Sequence, residues 1–202
     1  MVLVLPGHRR QGHATRLLGV ALDHLEKSGR VAILDATPAG REVYRQHGFR
    51  DGWTFKRYVM NREPAPGQTA ARPLRESDWG WIRELDRAAF GGDREGLLRA
   101  LAGRLPAAAL VVEGEGFVLG RDGREVSQLG PLVANNRAVA RSLFTAALAR
   151  VTRPLYLDIA DHAVLDREGL APQRPFMRMM RGASRSPGDQ SKVYMVAGPE
   201  LG

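Results

Sequence analysis

Residues 2–29 read VLVLPGHRRQGHATRLLGVALDHLEKSG, and the order of residue types in this stretch decides the fold. The apolar run Val2–Leu5 reads as a strand that stops at Pro6. A loop carrying His8, Arg9 and Arg10 leads through Gln11, Gly12 and His13 into a helix predicted over 12–28. In that helix Ala14, Leu17, Leu18, Ala21, Leu22 and Leu25 recur at three- and four-residue spacing, giving one apolar stripe, and Gly29 ends it. A strand that turns through free N–H groups into a helix N-terminus is an anion site. Gly12 lets the backbone approach a phosphate closely, and Ala14 keeps the next inward position small. The helix start favours an anion by roughly 0.3–1 kcal/mol when exposed. Arg9, Arg10 and Arg16 can add charge-assisted contacts. Neither Gly-Lys-Ser/Thr nor GxGxxG is present, so the loop is not a Walker A or dinucleotide fingerprint.

Outward from there, RVAILDA (30–36) is a second strand and AGREVYRQ (39–46) a short helix closed by His47-Gly48. FRDGWTFKRYVM (49–60) is a strand or hairpin, and strand–helix–strand order implies a parallel or mixed sheet at this end. Residues 61–71, NREPAPGQTAA, carry prolines and a glycine without periodicity and read as a linker. Beyond it, Ser77 is placed to cap a helix with Trp81, Ile82, Leu85 and Phe90 on one side. A second helix is expected over 93–104, strands over 109–113, 116–120 and 126–134, a helix over 136–151 and a strand over 154–160. PFMRMMRG (175–182) and KVYMVAG (192–198) are expected to pair antiparallel at the end.

The chain also repeats itself. ATRLLGVAL (14–22) lies over ARSLFTAAL (140–148), VAILDA (31–36) over PLYLDI (154–159), and YRQHGF (44–49) over LDREGL (165–170). Three matches in order indicate one fold used twice. The second copy is preceded by strand and helix patterns over 72–134, whereas the first has only the strand before Pro6. The first unit is therefore expected to lack its front half.

Composition narrows the chemistry. The chain has 202 residues, 44% of them hydrophobic, enough for a real core. It contains no cysteine, which excludes disulfides, thiolate metal sites and a cysteine nucleophile. No apolar run suits a membrane span and no signal-peptide pattern opens the chain, so a cytoplasmic protein is expected. The formal charge of +8 comes almost wholly from arginine, since lysine occurs only at Lys27, Lys56 and Lys192. Those arginines are scattered, which argues against a nucleic-acid partner. Asp161-His162 has no further ligands at metal spacing, so no metal is expected. His8 and His13 read as loop histidines, Asp35 as a strand-end residue that could orient substrate, and Trp79 and Trp81 as core and rim.

VLPGHRRQGHATRLL resembles motif A of the GNAT superfamily of N-acetyltransferases, Arg/Gln-x-x-Gly-x-Gly/Ala, with Arg9, Gly12 and Ala14 in its three specified places. AGREVYRQHGF resembles the motif that follows in that superfamily, with Tyr44, Gly48 and Phe49 at the matching positions. The whole chain is similar to a two-domain subgroup in which a degenerate second GNAT unit follows the first. The resemblance implies acetyl-CoA as cosubstrate, with its pyrophosphate on the amides of Arg10, Gln11, Gly12, His13, Ala14 and Thr15. It implies that pantetheine runs beside Val4 and Leu5, that an acceptor amine attacks the thioester directly, and that Tyr44 protonates the departing thiolate. In the second copy Asn135 replaces Arg9, Ala138 replaces Gly12 and Leu165 stands where Tyr44 should, so that copy reads as non-catalytic.

The expected fold is α/β of the GNAT-like α+β kind: a mixed, mostly antiparallel sheet flanked by helices, in two tandem units. Residues 1–60 would be the C-terminal half of an acetyl-CoA-binding domain, 61–71 a linker and 72–202 a complete degenerate domain. The expected function is N-acetyl transfer to a small-molecule or peptide amine. The rival classes are a non-catalytic CoA-binding or assembly module and, more weakly, a basic nucleic-acid binder. Strand 2–5 would expose an unpaired edge, which a homo-oligomer could cover.

Overall fold

The apolar spacings become five α-helices and nine strands in the computed structural model, which describes residues 4–61, 69–152 and 154–201. Helix α1 (His13–Lys27) is followed by β1 (Ala32–Ala36), α2 (Pro38–Gln46) and β2 (Arg50–Met60). Further along come β3 (Arg72–Pro73), α3 (Trp79–Phe90), α4 (Glu95–Arg104), β4 (Leu110–Val112), β5 (Gly116–Arg121) and β6 (Ser127–Ala134). The chain continues with α5 (Arg137–Leu148), β7 (Leu155–Ala160), β8 (Leu170–Arg181) and β9 (Val193–Met195). All nine strands form one sheet in the order β1-β8-β2-β7-β9-β6-β5-β4-β3. Among the described residues only β6 and β7 pair in parallel, so the sheet is mixed and mostly antiparallel.

Strand alternation sends successive residues to opposite faces. On one face Ala32 and Ala36 of β1 and Met179 of β8 meet Leu22 of α1 and Phe49, with Tyr44 of α2 packed beside them. On that same face α5 packs against β4, β5 and β6. On the other face Phe55, Phe176, Phe117 and Leu119 meet Trp79 and Ile82 of α3 and Leu98 and Leu101 of α4.

The centre of the sheet has an approximate twofold relation that follows the sequence repeat. Strands β1 and β7 are equivalent, as are β2 and β8, and the order β1-β8-β2-β7 reads the same after exchanging each pair. Phe55 and Phe176 are register partners at the centre, their rings stacked with centroids 5.0 Å apart. To either side lies a buried arginine–carboxylate pair. Arg57 of β2 donates two hydrogen bonds to Asp158 of β7, at 2.8 and 2.7 Å. Arg178 of β8 donates two to Asp35 of β1, both at 2.8 Å. Each pair thus joins one copy to the other.

Several expectations change. Residues 2 and 3 of the predicted strand 2–5 lie outside the described residues, and Val4 and Leu5 join no strand. The Val4 carbonyl instead accepts from Arg9 Nε at 3.1 Å, and Pro6 opens a short 3-10 turn, Pro6–His8. No parallel pair forms between β1 and β2, because β8 inserts between them. The strands at 175–182 and 192–198 do not pair with each other: β8 joins β1 and β2, whereas β9 joins β6 and β7. Ser77 does not cap α3. The Asp78 carboxylate accepts from Arg75 N–H and from Arg72, whose guanidinium holds that carboxyl at about 2. The α1 stripe is split: Leu18, Leu22 and Leu25 pack inward, while Leu17 and Val20 are 58% and 69% exposed. Of the linker, 62–68 lie outside the described residues, and Thr69 and Ala70 bond to Ser142.

Removing one partner of a buried ion pair leaves an uncompensated charge, at a cost of about 3–5 kcal/mol. Asp35→Ala and Asp158→Ala are each expected to lose that much in urea denaturation. Asp158→Ala is expected to cost more, because Gln128 also donates to Asp158. A loss below about 1 kcal/mol in both, the range of exposed pairs, would show that the pairs do not hold the two copies together.

Candidate functional site

Helix α1 is preceded at its N-cap position by Gly12, which has φ of 76° and offers no side-chain cap. Left-handed backbone is what glycine tolerates best, and a Cβ built there would find nothing within 4 Å. Arg10 shares this geometry at φ 61°, an unusual conformation for a residue with a side chain. The Gly12 carbonyl accepts from Arg16 N–H at 3.0 Å, so the helical ladder starts here. The N–H groups of the first turn are left without intrahelical partners.

The side chains of the loop tie its shape. Gln11 Nε2 donates to the Gly7 carbonyl at 3.4 Å, and Arg16 donates to His13 Nδ1 at 2.8 Å. Arginine only donates, so His13 Nδ1 accepts, leaving Nε2–H to donate to Gln11 Oε1 at 3.2 Å. All of these contacts are exposed. His8 lies with its ring 6.4 Å from that of His13. The Arg10 guanidinium and Thr15 hydroxyl have no hydrogen bond among the described residues.

Tyr44 projects from α2 into the same apolar cluster that seats α1. Its ring meets Phe49 edge-on at 5.8 Å, and a Cβ on Gly40 would sit 3.3 Å from its Cε2. Its hydroxyl bonds to nothing among the described residues. Thr37 caps α2 by accepting from Gly40 N–H at 3.3 Å, with Pro38 in the first turn. Arg41 and Arg45, one helical turn apart on either side of Tyr44, both donate to Asp51 on β2. These bonds hold the Asp51 carboxyl at about 2. The clamp fixes how α2, and therefore Tyr44, rotates against the sheet. Sequence reasoning missed it, although the i,i+4 arginines were a visible signal.

The second copy shows the same junction closed. Asn136 caps α5, its Oδ1 accepting from Val139 N–H at 3.0 Å. Lys192 Nζ donates to Asn135 Oδ1 at 2.8 Å. Strands β6 and β7 pair only over Ser127–Leu129 and Leu155–Leu157, and β9 fills the divergence beyond. Gly130 permits that insertion, since a Cβ there would lie 2.2 Å from the Val196 carbonyl. By the repeat, the partners Leu132, Val133 and Ile159 of β9 correspond to Pro6, Gly7 and Ala36. Among the described residues no strand lies on the free edge of β1.

The remaining candidates are structural. Asp35 is committed to Arg178, and burial raises its carboxyl above the usual aspartate range, with Arg178 opposing. Burial lowers the pKa of His162, which packs near Trp53 and Tyr194. Trp79 is core and Trp81 half-buried. The described residues hold no cluster of metal-ligating side chains, and no helix among them is long and apolar enough to cross a membrane.

Comparison with known proteins bears on the family and the fold. An acetyltransferase (GNAT) domain model matches residues 82–195, and an acetyltransferase (GNAT) family model matches residues 1–49. Holothin acyltransferase of Pseudoalteromonas sp. (strain SANK 73390) is 28% identical over 213 residues, covering 99% of this chain and 71% of that protein. The uncharacterized N-acetyltransferase YitH of Bacillus subtilis (strain 168) is 25% identical, covering 82% of this chain and 61% of its own. A solved structure from Pyrococcus horikoshii, provisionally named an acetyltransferase, shares the fold with a TM-score of 0.81. It is 24% identical over 98% of this chain and 69% of that one. With a GNAT model matching more than half its length, on a sheet of the same build, the chain belongs to the GNAT acetyltransferase family.

Proposed function

We propose that the chain transfers an acetyl group from acetyl-CoA to an amine, using the junction at the start of α1 and Tyr44. GNAT enzymes take acetyl-CoA as cosubstrate and act on small-molecule or peptide amines. The observation that carries the reading is the contrast between the two copies: α5 is capped and its cleft filled, whereas α1 starts on an uncapped glycine beside free space. The N–H groups of Arg10, Gln11, Gly12, His13, Ala14 and Thr15 would receive the pyrophosphate, with Arg9 and Arg10 adding charge. Strand β9 gives the path of the pantetheine arm by analogy. It is an extended backbone seated between β6 and β7, so the matching arm would pass between Val4–Gly7 and Ala36.

An acceptor amine attacks the thioester carbonyl, forming the C–N bond as the C–S bond breaks. The Tyr44 phenol gives its proton to the departing thiolate, and the amine releases one to water. The unengaged hydroxyl of Tyr44 and the fixed rotation of α2 suit that role. Residues 1–60 are thus the C-terminal half of the cofactor-binding unit, 61–71 the linker, and 72–202 a complete unit without catalytic residues.

Calorimetry is expected to give one CoA bound per chain. Arg9→Gln with Arg10→Gln should raise Kd about a hundredfold or more, each charged hydrogen bond contributing roughly 1.5–3 kcal/mol. Asn136→Ala should leave Kd unchanged while lowering stability by about 1 kcal/mol, the usual cost of losing a cap. Two CoA per chain, or no effect of the arginine substitutions, would remove the assignment.

With an acceptor amine in hand, Tyr44→Phe should lower kcat by about 10²–10⁴-fold while CoA affinity holds, because packing is retained and only the proton is lost. An unchanged kcat would make Tyr44 a packing residue.

A further inference from the structure

The two buried ion pairs are covered in different ways. Arg178 and Arg57 hold equivalent places, each two residues beyond one of the stacked rings of Phe176 and Phe55, and they are 5% and 7% exposed. Over Arg178 the chain lays the Trp53 ring, its centroid 4.7 Å from the guanidinium, with Ile33, Phe90 and Pro187 around it. The space left there is about 10 Å³, room for no more than a water molecule. Arg57 lies 4.7 Å from the centroid of the Tyr156 ring, and it lines a cavity of about 320 Å³. The wall of that cavity is polar: Arg104 at the end of α4, Arg121 at the end of β5, Asp122, Gln128 and Tyr156 join Arg57.

The guanidinium groups in this wall are only partly spent. Asp158 and Gln128 take Nε and Nη2 of Arg57, and its Nη1 bonds to nothing among the described residues. Arg104 gives Nε and Nη2 to the Asp122 side chain and carbonyl, which leaves Nη1. Arg121 gives Nη2 to Glu200, which leaves Nε and Nη1. Gln128 has nothing more to offer Arg57, because its Oε1 already accepts from that residue and its Nε2 donates to Asp158. The Tyr156 hydroxyl makes no hydrogen bond among the described residues. Asp158, Asp122 and Glu200 balance the three arginines, and Arg174, the register partner of Arg57, adds a cation with no carboxylate partner among the described residues. A buried donor without an acceptor is costly, and the cost is greatest for a charged group.

We propose that this cavity is a binding site for the carboxylate or phosphate group of a small metabolite. The oxyanion sits among Nη1 of Arg57 and the unspent N–H groups of Arg104 and Arg121, and the Tyr156 hydroxyl donates from the side. A planar or tetrahedral oxyanion is the partner that can accept from several guanidinium groups at once. At about 320 Å³ the cavity stands at the small end of ligand sites, which limits the occupant to a small molecule. The bound anion rests on the Arg57–Asp158 pair, which ties β2 to β7, so it stabilises the fold by mass action. Arg57 shares the α3 and α4 face of the sheet with Phe55, whereas α1 packs on the other face, so the anion and CoA do not compete. The proposal is independent of the acetyl-transfer chemistry.

Inorganic phosphate and citrate are the probes, each titrated calorimetrically into the full chain at constant ionic strength while Tm is followed in parallel. At least one of them should bind, with a Tm that climbs with its concentration, and the stronger of the two tells which oxyanion the cavity prefers. Because phosphate also suits the start of α1, the binding event that counts is the one that survives Arg9→Gln with Arg10→Gln. That event should weaken about a hundredfold or more with Arg104→Gln and Arg121→Gln together. Should that double variant fold poorly, Tyr156→Phe, which removes one hydroxyl from an intact wall, should raise Kd about fivefold. Absence of binding by both probes at millimolar concentration would overturn the proposal. So would binding that vanishes with Arg9 and Arg10, binding indifferent to Arg104, Arg121 and Tyr156, or a rise in Tm that sodium chloride reproduces at the same ionic strength. CoA titrated into the same samples reports separately on the acetyl-transfer reading: its Kd should not change with Arg104→Gln and Arg121→Gln, and failure of the parent to bind CoA would sink that reading alone.

Discussion

Arg57–Asp158 and Arg178–Asp35 are the interactions on which the sheet depends. Four charges are taken out of water near the middle of the sheet, and each is tolerated only because its partner sits directly opposite on the neighbouring strand. Moving β8 by one residue would turn Arg178 to the other face and strand Asp35 without a counter-charge. The same holds for Arg57 and Asp158 on the other side of the stacked Phe55 and Phe176. Register is thus fixed by electrostatics where the aliphatic residues alone, such as Met177, Met179 and Met180, would permit a slip. Because each pair takes one residue from 1–60 and one from 72–202, those two stretches cannot be drawn apart without exposing both.

From that shared centre the copies diverge in their use of the same junction. In each, a strand edge, a loop and a helix start come together. In the second copy the chain itself supplies partners there: Asn136 takes a helix amide, Lys192 takes Asn135, and β9 takes backbone of β6 and β7. In the first, glycine at the helix start and the strained Arg10 leave the donors outward. An anion is the simplest partner for such donors. The difference arises from a handful of residues on an otherwise common frame, and family membership rests on that frame.

Most helices and strands were legible because their apolar periods are long and regular: α1, α4, α5, β1 and β4–β7 stand within two or three residues of expectation. The loop into α1 was legible for another reason, since the glycine at its helix start is local in sequence. What could not be read was pairing. Nothing near Phe176 states that β8 will insert between β1 and β2, because that choice is made by Asp35 and Phe55 more than a hundred residues away. Strand β9 is only three residues long and takes its place from a gap between other strands. The split of the α1 stripe was hidden too, since periodicity shows which residues are apolar and not which of them find a cover.

The insertion of β8 also bears on how the chain reaches this state. Strands β1 and β2 emerge more than a hundred residues before the strand that joins them, Leu170–Arg181. Until it arrives they have no bridge to each other, and β7 and β6 still await β9. Nearly all the central pairings are therefore long-range contacts, the sort that closes slowly because large loops must be ordered first. Folding that starts from the first unit has nowhere to go during most of translation. The segment free to assemble on its own begins after the linker, where α3, α4 and β3–β6 are consecutive neighbours. The later half of the chain would then be the template on which the earlier half is laid down.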